Sequence, residues 1–366
     1  MNGIVWGGKS GVLPANPRFL RVCTEFWRRQ DAHAAAIALP SGTNREERDN
    51  ETGPSCGACA LPLALALATA GSATVPGPNG LIAFRANTDS GSQLFTIAPA
   101  GTDQRQLTSL AGDSFLPHWS PESNRIVFEF DPANPVDNDF CNIATMNRNG
   151  GGLRILPLAN GDACEASPTF SADGHRILYE GFDGVSRDAI FSMALNGKGR
   201  KLITTCQGQG VTDPEVSPDG TMLSFTCFSD EGQALFDANI DGSGLRQLTP
   251  YSAQVGNKSD WSPNSQRIMF ITAMDEGEPD AQVNTWTIAR DGSDLTAVTS
   301  YPPGGTRAFG NSYSPDGNWI LLRIEQDDLN ALSKIRPDGT DLTQITPFSS
   351  FRPRNMAWGS ALARRP

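Results

Sequence analysis

Histidine is nearly missing from this chain: its 366 residues hold only His33, His118 and His175. So thin a supply argues against a metal centre built from several imidazoles, and it leaves Ser-His-Asp catalysis short of a base. Positive charge is also short, with 29 Lys and Arg against 40 Asp and Glu and a formal charge of −11. An acidic body repels phosphate backbones, so no nucleic-acid partner is expected. Long apolar runs are absent too. The best, Ala58 to Ala70, is broken by Cys59, Pro62 and Thr69; at about 12 residues it is too short to span a bilayer. Charged residues make up only 19% of the chain, while 37 Gly and 26 Pro punctuate it. That is the composition of a turn-rich globular protein.

The Ala/Leu run has the surroundings of a secretory signal. Arg45 and Arg48 precede it, and Ala68-Thr69-Ala70 and Gly71-Ser72-Ala73 follow with small residues suited to cleavage. Residues 1–79 are therefore expected to be a leader, with signal-peptide core 58–70 and a short linker, and the protein to be periplasmic or secreted. An unusually long stretch precedes the core, and no Met lies between Met1 and Met146. An extended leader, or a non-AUG start near Leu39, would account for this; an unstructured extension on a cytoplasmic protein is the competing reading. Cys23, Cys56 and Cys59 fall in the leader, and Cys56-Gly57-Ala58-Cys59 has no second pair to complete a metal site. Cys141, Cys164, Cys206 and Cys227 remain in the body. Cys141–Cys164 and Cys206–Cys227 are the favoured disulfides, each worth about 3 kcal/mol at most; four buried thiols are the alternative.

The rest of the chain repeats itself. Trp119-Ser120-Pro121, Phe170-Ser171-Ala172-Asp173-Gly174, Val216-Ser217-Pro218-Asp219-Gly220, Trp261-Ser262-Pro263 and Tyr313-Ser314-Pro315-Asp316-Gly317 each lead into a short apolar run, and Trp358-Gly359 closes the series. Ser120, Ser171, Ser217, Ser262, Ser314 and Gly359 are spaced by 51, 46, 45, 52 and 45 residues. A period of that size carrying strands means stacked β-units in a ring. Within the copy from Asn257 to Thr299, a strand ending at Trp261 precedes a turn and the apolar strand Arg267 to Ile271. A third strand, Asn284 to Ile288, leads through the Asp291-Gly292 turn to an outer strand. Gly80 to Phe84 reads as a second strand without a first, and Met356 to Trp358 as a first strand without a second. Joined, they complete a sixth blade. The expectation is an all-β, six-bladed propeller of four-stranded antiparallel blades over residues 80–366, closed by its two terminal segments.

The pattern aromatic-Ser-Pro-Asp-Gly, an Ile-x-Phe-like strand and then Asp-Gly before Leu-Thr resembles the WD40-like (PD40) repeats of TolB-type propellers. The resemblance covers about Gly80 to Ser360. It implies an envelope or extracellular protein-binding scaffold, working as a monomer and meeting an envelope protein or peptide at its channel mouth. Relatives depart from this chain in instructive ways. TolB itself carries an α/β domain ahead of its ring, for which few residues are left here. Propeller-bearing peptidases need an α/β-hydrolase domain, and the residues outside the repeat are too few for one. Lyase-type rings hold a metal through several His. A small channel-centred enzyme, such as a metal-assisted lyase or hydrolase, and a polysaccharide-binding ring are the alternatives.

Candidate site residues follow from the topology. The channel mouth, where the inner strands begin, would gather Asp113, His118, Asp213, Glu215, Asp260, Arg352, Arg354 and Asn355, acids and arginines suited to charge-assisted bonds. His118 reads as a channel-lining acid/base or ligand, or as an ordinary variable position aligned with Thr169, Glu215, Asp260, Ser312 and Ala357. His175 sits in a turn that any polar residue would serve. No catalytic residue is assigned. No cofactor is required, although Asp131, Asp137 and Asp139 crowd hard oxygen ligands of the kind Ca²⁺ takes; a solvated acidic loop explains them equally.

Overall fold

The computed structural model of the protein describes residues 76–133, 141–157, 164–182, 188–206, 210–274 and 282–362, and nearly all of the expected leader lies outside them. The described residues form six four-stranded antiparallel sheets. The strands nearest the axis are Gly112–Trp119, Ala166–Phe170, Gly210–Val216, Val255–Trp261 and Arg307–Tyr313 for blades 2 to 6. Blade 1 closes the ring: Arg354–Ser360 from the C-terminal end pairs with Asn79–Thr88 from the N-terminal end, Ile82 facing Trp358 and Ala83 facing Ala357. Closure removes the two open sheet edges that a linear array would expose.

The repeated turn is held by its own side chains. Ser171, Ser217 and Ser314 each donate to the carboxylate two residues on, at 2.6 Å, and accept from the N–H that restarts the next strand at 2.9 Å. The glycine that follows takes a left-handed φ of 68° to 72°, which a side chain would resist. The recurring Ser and Asp are therefore turn chemistry.

Apolar residues of the second and third strands fill the spaces between blades. Ile82, Phe84 and Trp358 of blade 1 pack with Leu321 and Leu332 of blade 6. Trp119, Phe128 and Phe130 of blade 2 pack with Ala83, Leu94 and Ala357 of blade 1. The repeated tryptophans add a polar lock: the indole of Trp119 donates to the Ala357 carbonyl at 3.2 Å, and that of Trp261 to the Glu215 carbonyl at 3.1 Å. Each reaches the inner strand of the preceding blade. Disulfides join Cys141 to Cys164 and Cys206 to Cys227, linking blade 2 to blade 3 and blade 3 to blade 4.

Candidate functional site

Each inner strand is irregular. Against its second strand the register slips between Phe115 and His118, Ala166 and Thr169, Thr212 and Glu215, Val255 and Ser259, and Gly310 and Ser312. Leu116, Ser167, Asp213 and Asn355, each three residues before the closing aromatic or Val, hold φ between 46° and 54°. Such a conformation is costly for a side-chain-bearing residue, and it re-aims the strand's side chains.

The side chains converge on the axis. His118 of blade 2 places Nε2 2.8 Å from Glu215 Oε1 of blade 4 and 3.1 Å from Lys258 Nζ of blade 5. Lys258 donates to Glu215 Oε1 at 2.7 Å and has Asp213 Oδ1 at 3.8 Å. Thr169 of blade 3 approaches His118 Nδ1 at 3.5 Å and donates to Glu215 Oε2 at 3.4 Å. In a ring of six, blades 2 and 5 stand opposite, so this contact crosses the channel. Burial pushes the Glu215 carboxyl up, but the His118 and Lys258 charges outweigh this and hold it below its ordinary value. For Lys258 the carboxylates of Glu215, Asp213 and Asp260 outweigh burial and hold the ammonium charged. Asp213 is pushed up to about 6 by burial, against the pull of Lys258.

The expected mouth residues thus divide. His118, Asp213, Glu215 and Asp260 do not stand on an open rim; they are buried. Asp213 accepts from the Ser259 N–H at 2.6 Å and Asp260 from the Tyr313 N–H at 2.7 Å, so both also clamp the following blade. The reason is the bulge, which turns residues near the aromatic end into the ring. Asp113 accepts from the Ser92 N–H at 2.6 Å. Asn355 accepts from Arg85 Nε at 2.6 Å, and the Arg85 guanidinium lies 4.7 Å from the centre of the Phe115 ring. Arg354 pairs opposite Arg85, and Arg352 lies 3.8 Å from Asp328. Asp113, Arg352 and Arg354 mark the end where inner strands begin, whereas Asn355 stands at the bulge, three residues before Trp358. Asp137 and Asp139 lie outside the described residues. Asp131 is crowded instead by Glu129 and Asp113, which together with burial push it up to about 9. His175 donates its N–H to Asp173 within its turn.

Two features escaped the sequence reading. Lys258 is a lone cation at the position held elsewhere by Leu116, Ser167, Asp213, Gly310 and Asn355; aligning that column would have found it. One second-strand column reads Arg85, Glu129, Glu180, Thr226, Ile271 and Arg323 around the ring. Glu129 accepts from the Ser167 N–H at 3.1 Å and Glu180 from the Thr212 hydroxyl at 2.5 Å, each reaching the next blade's inner strand.

A six-bladed, self-closing β-propeller with a polar plug across its channel is the class these features define. The model of the PD40 family, the TolB beta propeller domain, matches residues 142–361, and the chain belongs to that family. Among solved structures it is similar to TolB from Acinetobacter baumannii: 17% identity, TM-score 0.63, covering 78% of this chain and 68% of that one. Hydrazine synthase from Kuenenia stuttgartiensis shares the fold at 14% identity and TM-score 0.62, over 78% of this chain and 47% of that one. A chain of a nidogen/laminin complex does so at 9% and 0.58, over 76% and 98%. No curated protein sequence matches the chain. Such likenesses carry the fold alone, since one fold hosts many functions.

Proposed function

We propose that this chain is an exported TolB-like propeller that binds an envelope or extracellular protein or peptide at its channel mouth, as a scaffold rather than a catalyst. The observation that carries the reading is the plug. His118, Glu215, Lys258 and Thr169 satisfy one another across the axis, which suits a rigid ring and leaves recognition to the mouth marked by Asp113, Arg352 and Arg354. The two disulfides fit an oxidising, extracytoplasmic compartment.

Calorimetry with the soluble domain of the host's peptidoglycan-associated lipoprotein tests the partner. Binding that weakens by more than about tenfold, or about 1.4 kcal/mol, in an Asp113→Ala/Arg352→Ala/Arg354→Ala variant supports it. Absence of binding, or binding indifferent to the three changes, removes it. N-terminal sequencing of the protein from its host tests export: a mature terminus near residues 71–75 is expected, and intact residues 1–70 in the cytoplasm would refute it.

A further inference from the structure

Glu129 and Asp131 lie two residues apart on the second strand of blade 2, Arg125–Pro132, and so share one face. Cys141 immediately precedes the third strand, whose Asn142 pairs with Phe130. Ligand atoms of Glu129, Asp131 and Cys141 all lie within 4.8 Å of one another. Cys164, bonded to Cys141 with the Cα atoms 4.6 Å apart, brings a second sulfur from the edge of blade 3. Asp131 Oδ1 is buried and accepts no hydrogen bond from any described residue. Packing two carboxylates around a sulfur pair costs energy, and among the described residues no hydrogen bond to that oxygen offsets it.

We infer that the Cys141–Cys164 bridge masks a metal site: once it is reduced, the two thiolates with Glu129 and Asp131 bind a divalent cation of zinc's kind between blades 2 and 3. Two sulfurs and two carboxylate oxygens make a four-membered donor set that suits tetrahedral Zn²⁺ and is too soft for Ca²⁺. Disulfide sulfurs bonded to each other are not thiolate ligands, so the oxidised protein lacks the site. A dithiol reductant supplies two electrons and two protons to the bridge, giving two thiols and its own disulfide. The metal then displaces the thiol protons and any proton held by the carboxyls. The sulfurs must part and the oxygens move inward by about 1 Å to meet the roughly 2.0–2.3 Å ligand distances of zinc. Arg85, whose charge already acts on both carboxyls, offsets part of the −2 charge of the loaded site. The blades would then be tied together in either redox state, by a covalent bond or by an ion.

Cobalt titration of the full chain, carrying Cys23→Ser, Cys56→Ser and Cys59→Ser to silence the other thiols outside the ring, reads the site without any activity assay. Reduced anaerobically, the protein should take up one Co²⁺ with thiolate charge-transfer absorption and the visible bands of a tetrahedral ion, and Zn²⁺ should displace it. The oxidised protein should show neither signal. Cys141→Ser should abolish the absorption, Cys206→Ser/Cys227→Ser should leave it, and Glu129→Gln/Asp131→Asn should weaken binding by more than about tenfold, since groups that merely orient a metal's ligands already contribute about that much. Near-ultraviolet circular dichroism follows the fold throughout. An absence of absorption in reduced protein, folded or unfolded, overturns the inference. So does absorption that persists unchanged in the folded Glu129→Gln/Asp131→Asn variant.

Discussion

Lys258 shows how much one side chain can carry in a closed ring. It is the ammonium at the centre of the axial cluster, facing Glu215 at 2.7 Å and Asp213 at 3.8 Å. Removing one partner of a buried pair strands the other's charge, so Lys258→Met should cost about 3–5 kcal/mol in urea unfolding. Adding Glu215→Gln should return part of that loss, which a double-mutant cycle will show. Asp213 supplies a pH signature. Its folded carboxyl sits at about 6, above its ordinary 3.8, so the fold holds this proton more tightly than the unfolded chain does. The resulting stabilisation is fully present below about 3.8 and is lost as pH rises through about 6. Asp213→Asn should therefore flatten the fall in stability across that window, as measured by thermal melts at a series of pH values. Both residues lie in the inner-strand repeat, but only Asp213 drew notice from sequence. A lone lysine in a strand carries no local sign that it is buried.

At the scale of the element, the last strand decides closure. Its Gly359 stands where the other copies carry Ser, and the structure supplies the reason. A Cβ at Gly359 would lie 2.8 to 2.9 Å from three atoms of the Trp119 indole, whose N–H bonds the neighbouring Ala357 carbonyl. Gly359→Ala should force blades 1 and 2 apart and cost about 1–3 kcal/mol, by denaturant unfolding. Ser120→Ala would instead remove two turn hydrogen bonds, to Asn124 and from the Arg125 N–H, at about 1 kcal/mol each. The blade plan was readable in advance because every turn carries its own chemistry: Ser-Pro-Asp-Gly and Asp-Gly need no distant partner to declare themselves. The slip of each inner strand was not readable. A bulge depends on what the preceding blade presents, as when Ser167 turns its N–H toward Glu129 at 3.1 Å.

Across the whole molecule, stability is distributed unevenly around the ring. Both disulfides lie in blades 2 to 4, while blade 1 is held to its neighbours by packing and hydrogen bonds, among them the Trp119 indole to Ala357 and the Trp358 N–H to the Ser312 hydroxyl. Replacing Cys206 and Cys227 by Ser should lower unfolding free energy by about 3 kcal/mol, seen as an earlier midpoint in guanidinium without loss of the native signal. The sequence by itself determined the class of this protein: the strand repeat, the six-fold count and the joining of its ends follow from a period near 50 residues and from local turn chemistry. Only the tertiary structure decided what the channel contains. His118, Thr169, Glu215 and Lys258 come from four blades and are separated by up to 140 residues, and no local signal encodes their meeting. Ring closure brings them to the axis, and burial there forces them to pair.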